Sequence, residues 1–111
     1  MIKVERIYAS KEADGTFRVL VDRLWPRGLK RETLHLDAWM KDVAPSTELR
    51  QWYGHDAERW EEFRARYFSE LDARPEAWQP LLEAARRGDV TLLYAARTEQ
   101  FNHALALREY L

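Results

Sequence analysis

Phe17-Arg18-Val19-Leu20-Val21-Asp22-Arg23-Leu24-Trp25 is the stretch whose reading decides the fold. Successive strand residues point to opposite faces, and here both faces are largely apolar, as in a strand covered on both sides. Pro26 and Gly28 end it. Asp22 and Arg23 break the apolar pattern. Asp22 shares a face with Leu20 and Leu24, and Arg23 shares one with Val21 and Trp25, so the two do not neutralise each other. A buried unpaired charge costs on the order of several kcal/mol, so each needs a partner or a cleft. Ion pairs with covering helices satisfy that need, Asp22 with an arginine and Arg23 with Glu62 or Glu70. A ligand site at the carboxyl end of the strand satisfies it equally.

Working outward, Ile2–Tyr8 alternates as a strand, and Lys11-Glu12-Ala13-Asp14-Gly15 is a polar turn. Leu34, Leu36, Trp39 and Met40 suggest a short helix or an irregular packed segment. Ser46 caps a helix with Glu48 in its first turn, and Asp56 caps the clearest helix, Ala57–Leu71. The stripe of that helix is Trp60, Phe63, Tyr67, Phe68 and Leu71, while Glu62, Arg66 and Glu70 follow one another on another face. A further helix follows Pro75, is interrupted or restarted at Pro80, and ends with Arg86-Arg87 before Gly88. Val90–Ala96 is a second buried strand, Arg97–Gln100 a polar turn, and Phe101–Tyr110 the last helix. Strand, helices, strand, helix predicts a single α/β domain over 1–111, with a small, largely parallel sheet covered by helices.

Composition narrows the function. Eighteen basic residues against 19 acidic ones, with net charge −1, argue against a dedicated nucleic-acid binder. Without cysteine there is no thiol nucleophile, disulfide or zinc–cysteine site. No run approaches the about 18 apolar residues of a membrane span. The opening Met1-Ile2-Lys3-Val4-Glu5-Arg6 has no signal-peptide pattern, so a soluble cytoplasmic protein is expected. The three histidines at 35, 55 and 103 show no metal-ligand spacing, and no phosphate-binding glycine loop or dinucleotide fingerprint occurs. No cofactor is expected.

The candidate site follows from topology. If the two buried strands are parallel neighbours, Asp22, Arg23 and Arg27 converge with Arg97, Asn102 and His103 at one sheet edge. A helix start offers free N–H groups to an anion, and guanidinium suits oxyanions. His103 is the candidate acid or base, with Asp22 orienting a neighbour; Arg23, Arg27, Asn102 and His55 are candidate ligand-binding residues. His55 serves equally as a local hydrogen-bonding group before the main helix.

Several strings carry a resemblance: Val21-Asp22-Arg23-Leu24-Trp25-Pro26-Arg27-Gly28, Ala44-Pro45-Ser46, Leu49-Arg50-Gln51-Trp52, Gly54-His55-Asp56, Thr91-Leu92-Leu93-Tyr94-Ala95-Ala96 and Asn102-His103-Ala104. In this order they resemble the YeaO-like group within the bacterial domain-of-unknown-function family 488, across essentially the whole chain. The resemblance implies an α/β fold and supplies no activity. Members of the broader family tend to carry Cys-His-Arg after a late strand, where this chain has Asn102-His103-Ala104. Cysteine chemistry is thereby ruled out here, which leaves a binding pocket or acid–base chemistry by His103. Two readings follow. One is an anion-binding pocket, with or without enzyme activity on a phosphorylated or carboxylated small molecule. The alternative is a regulatory nucleic-acid or protein-binding module using the basic segment 23–31. Oligomeric state is left open.

Overall fold

The computed structural model describes residues 1–111. Its strands are β1 (Ile2–Arg6), β2 (Phe17–Leu20), β3 (Ala38–Trp39) and β4 (Val90–Tyr94). Its α-helices are α1 (Thr47–Tyr53), α2 (Trp60–Asp72), α3 (Pro75–Arg87) and α4 (His103–Tyr110). The strands form one wholly parallel sheet in the order β1-β4-β2-β3. The expected α/β architecture is therefore present, with the helices on one face and extended loops on the other.

Alternation along the central strands sorts the core. Val19, Val21, Val90, Leu92 and Tyr94 face the helices and pack with Leu49, Tyr53, Phe63, Tyr67, Leu71, Leu81 and Leu107. Leu20 and Leu93 face the other way and pack with Ile7 and Leu34, under Tyr8, Trp25, Leu29 and Leu36. The α2 stripe reads as its spacing predicts: Phe63, Tyr67 and Leu71 are buried, and Trp60 and Phe68 pack against them.

Arg18, which the sequence reading passed over, is fully buried on the loop-covered face. Its guanidinium donates to the carbonyl oxygens of His35 (2.7 Å) and Ser10 and to Ser10 Oγ (3.0 Å). Asp14 lies 3.6 Å away, and the Arg18 amide donates to Asp37 at 2.8 Å. One arginine thus ties together the loops that cover this side.

Four expectations need correction. β2 stops at Leu20, five residues before Trp25, because the Asp22 carboxylate takes the next amide of β4's chain, Ala95, in place of the backbone. The segment around Trp39 is edge strand β3 between two 3-10 turns, Arg31–Thr33 and Lys41–Val43, and not a helix. Asp56 caps a 3-10 turn, Ala57–Arg59, and α2 starts after it. α3 runs unbroken through Pro80. The bond lost there would have used the Glu76 carbonyl, and both residues are exposed, so water can serve that group.

Phe63→Ala should cost about 3–5 kcal/mol as a large-to-small change in a close-packed core, read as a lower urea midpoint. Asp14 gives a pH-dependent test. Hydrogen bonds from the Thr16 hydroxyl, the Thr16 amide and Lys3 hold its carboxyl well below the ordinary value of 3.8. A depressed folded-state value stabilises above 3.8 and loses that contribution as the pH falls. Asp14→Asn should therefore lower the urea midpoint near neutral pH, and its gap from wild type should narrow below 3.8.

Candidate functional site

β2 and β4 are parallel neighbours, in register from Phe17↔Val90 to Leu20↔Leu93, so their carboxyl ends open together. The last rung is Val21 N–H to Leu93 O at 3.0 Å. Beyond it a side chain takes over from the backbone. Asp22 Oδ2 accepts from the Ala95 amide at 3.0 Å, and the Asp22 carbonyl accepts from Trp39 Nε1 at 2.7 Å. Both edges of the chain are then satisfied without a ladder, so the strand ends and Asp22–Trp25 leaves the sheet. Alternation, the basis for separating Asp22 from Arg23, does not apply to these residues.

The other carboxylate oxygen, Oδ1, lies 3.0 Å from His103 Nε2. That nitrogen is also 3.1 Å from the Val21 carbonyl. A carbonyl only accepts, so the contact assigns the proton to Nε2. Asp22 Oδ1 is buried and accepts no hydrogen bond. His103 is the first residue of α4, following its cap Asn102. Asn102 is 1 % exposed; its Oδ1 accepts from Leu105 N at 3.0 Å and its Nδ2 donates to Thr98 O at 3.1 Å.

Arg23 meets neither Glu62 nor Glu70. Its Nε donates to Pro45 O at 3.3 Å and its Nη2 to Ala44 O at 3.2 Å. Glu62 pairs with Arg66, and Glu70 holds the Ser46 amide and hydroxyl at 2.9 and 2.6 Å. Nor does Asp22 meet an arginine; the side chain beside it is the imidazole of His103. Arg27 is exposed and its guanidinium has no protein partner, while its carbonyl accepts from Tyr8 Oη at 2.7 Å. Gly28, next in the chain, has φ +80°, which suits glycine. His55 is exposed in a left-handed conformation (φ 58°), a geometry that costs a non-glycine residue roughly 1–2 kcal/mol.

All six nominated residues line one cavity of about 770 Å³ at the carboxyl ends of β2 and β4. Arg97 lines it too, as does Arg50 of α1, which the sequence reading did not nominate. Only the packing of α1 beside the sheet brings Arg50 there; its one sequence signal is the Leu49-Arg50-Gln51-Trp52 string. The cavity holds four guanidinium groups and two imidazoles against one carboxylate, Asp22. Arg27, Arg50 and Arg97 are exposed, and their side chains make no hydrogen bond or ion pair within the protein. The tyrosines nearby are neutral hydroxyls. Burial, Glu70 and Asp22 push Tyr67 up, and it donates to the Val43 carbonyl; burial pushes Tyr53 up, and it donates to Phe101 O at 2.7 Å. No group of three histidine, aspartate or glutamate side chains is placed to hold a metal ion. No helix is long and apolar enough to cross a membrane.

Fold and cavity together define a small parallel α/β domain with a cationic crevice at its strand ends. The chain belongs to the family described as "Inactive DUF488-N3 subclade", which matches residues 1–111. It is 40 % identical over 110 residues to the uncharacterized protein YeaO of Escherichia coli K12, covering 99 % of this chain and 96 % of that protein. It is 41 % identical over 110 residues to uncharacterized proteins of Mycobacterium bovis and Mycobacterium tuberculosis, covering 99 % of this chain and 92 % of each. No solved structure matches it.

Asp22→Ala should destabilise the fold by about 1–3 kcal/mol, because the Ala95 amide loses its acceptor. Asp42→Ala, at an exposed aspartate without partners, is the control and should change little. Equal melting temperatures for the two variants would count against this role of Asp22.

Proposed function

We propose that this protein binds a small anionic molecule in the crevice at the carboxyl ends of β2 and β4. The observation that carries the reading is three unpaired guanidinium groups, Arg27, Arg50 and Arg97, around one cavity of a chain whose net charge is −1. Guanidinium offers planar paired donors to phosphate or carboxylate, and with no internal partner these are free for a ligand. Arg23, spent on the Ala44 and Pro45 carbonyls, adds its charge from the wall. His103 presents Nδ1, which no protein group takes and which donates to an anion only when the ring carries both protons. Asn102 acts indirectly: its amide is committed to capping α4 and fixing the Thr98 turn. His55 stands at the rim.

Binding without covalent chemistry is the better reading. There is no cysteine, and the Thr98 hydroxyl accepts from the Gln100 and Phe101 amides instead of facing a base. The family description, an inactive subclade, agrees. The Asp22–His103 contact favours one second reading, proton transfer between a bound substrate and His103 Nδ1 acting as acid or base. Against a regulatory nucleic-acid or protein-binding module built on the basic segment 23–31, Arg23 and Arg27 line the cavity, and Arg23 is spent on the Ala44 and Pro45 carbonyls. The cytoplasmic setting expected from the sequence is kept as part of this proposal.

NMR titration with inorganic phosphate tests it. Shifts should cluster at residues 23–28 and 97–103, with a dissociation constant near 1 mM, worth about 4 kcal/mol. Arg27→Ala should abolish them. Shifts confined to Lys30 and Arg31, or none at high phosphate, would overturn the pocket.

A further inference from the structure

We infer that the ligand is an organic diphosphate, held by its two phosphoryl groups across the crevice with an apolar body against Leu24, Trp25 and Pro26. This rests on the anion-binding reading and names the class of anion.

Charge is the first argument. Four guanidinium groups against the single carboxylate of Asp22 leave three positive charges around the cavity even with both imidazoles neutral. A phosphate monoester brings about −2 at neutral pH, and an esterified diphosphate about −3. Only the second matches the crevice. A dicarboxylate falls short by one charge and lacks the extra oxygens that three unpartnered arginines can use.

The second argument is the placement of those arginines. Arg27 follows β2, Arg97 follows β4, and Arg50 belongs to α1, a separate wall. Arg23, pinned to the Ala44 and Pro45 carbonyls that lead into α1, lies on the way to that wall. The cationic groups are therefore divided between the strand-end loops and the helix, an arrangement suited to two anionic groups rather than one.

Size and polarity supply the third. A cavity of about 770 Å³ lies in the range of roughly 300–1,000 Å³ that houses small organic ligands, and inorganic phosphate would leave most of it empty. Leu24 is 59 % exposed at this cavity, a large apolar side chain left open to water. Half-buried Trp25 and buried Pro26 also line the cavity beside it, and Trp25 is fixed by its Nε1 bond to Leu29 O at 2.7 Å. Such a wall suits a planar or aliphatic body attached to the anion.

The test is calorimetric titration of the full chain at low salt with four probes: inorganic phosphate, pyrophosphate, adenosine monophosphate and adenosine diphosphate. Adenosine diphosphate should bind at least about tenfold more tightly than the monophosphate and than pyrophosphate, a step of about 1.4 kcal/mol. Arg50→Ala, a surface change on α1 with folding checked by circular dichroism, should erase the advantage over the monophosphate. The loss for inorganic phosphate should be smaller than the loss for adenosine diphosphate. Equal affinity for mono- and diphosphate, or an equal loss for every probe in Arg50→Ala, would overturn the two-phosphoryl assignment. Pyrophosphate binding as tightly as adenosine diphosphate would overturn the apolar body. Failure of all four probes, inorganic phosphate included, would instead overturn the anion pocket itself.

Discussion

The hydrogen bond from the Ala95 amide to Asp22 Oδ2 sets where the sheet stops and where the crevice begins. Two parallel neighbours can part only if the backbone groups exposed by their separation find other partners, since an unpaired buried amide costs about 1–3 kcal/mol. Asp22 supplies that partner on the β4 side, and the Trp39 indole satisfies its carbonyl on the β3 side. Freed from pairing, the chain from Arg23 to Gly28 swings over the sheet edge and carries its guanidinium groups to the cavity. The remaining oxygen of the same carboxylate faces His103, so the group that ends one strand also meets the residue that begins α4. Strand end, helix start and site are thus one local arrangement.

Much of this was legible in the sequence, and the exceptions share a cause. α2 shows its period because it buries a regular stripe, Phe63, Tyr67 and Leu71, and β4 shows itself as an apolar run because it is buried along its whole length. The pairing of β2 with β4 brought Asp22, Arg27 and His103 together as the topology rule implies. β3 has two residues, too few for any period to show. The end of β2 is invisible to pattern because apolar residues continue past it at Val21, Leu24 and Trp25; a single carboxylate, Asp22, reaching across to the next strand ends it. Arg18 escaped notice because a lone arginine in a strand reads as an edge or surface residue. In fact its length lets it reach two loop carbonyls that no sequence rule places nearby. Arg50 was missed for the same kind of reason, since its position depends on how a helix docks.

Charge is arranged unevenly for so balanced a chain. Arg64 bonds Glu61 and Glu109, Arg66 pairs with Glu62 and Arg86 with Glu83, all on helical surfaces. Exposed pairs of this sort contribute little stability, commonly under about 1 kcal/mol each. Their larger consequence here is electrostatic: each pair cancels locally, while three of the crevice's four arginines stay unpaired. A concave site lined by one sign of charge concentrates counter-ions, so the net charge of −1 hides a locally cationic surface.

Asn102 shows how the helix start is committed. Its Oδ1 satisfies the Leu105 amide, one of the free donors of α4, and its Nδ2 closes the turn that begins at Thr98. With both ends of its amide committed and only 1 % exposed, Asn102 serves the fold of this wall rather than the chemistry beside it. A thiol at this position would be a poor cap, because sulfur accepts hydrogen bonds weakly. The residue present therefore favours a fixed α4 and a fixed His103 over reactivity. With Nε2 turned to the Val21 carbonyl, the imidazole is held in one orientation and keeps only Nδ1 for whatever enters the crevice. A wall fixed in this way needs no ordering when an anion enters, so the ordering cost of binding falls on the unpartnered arginines.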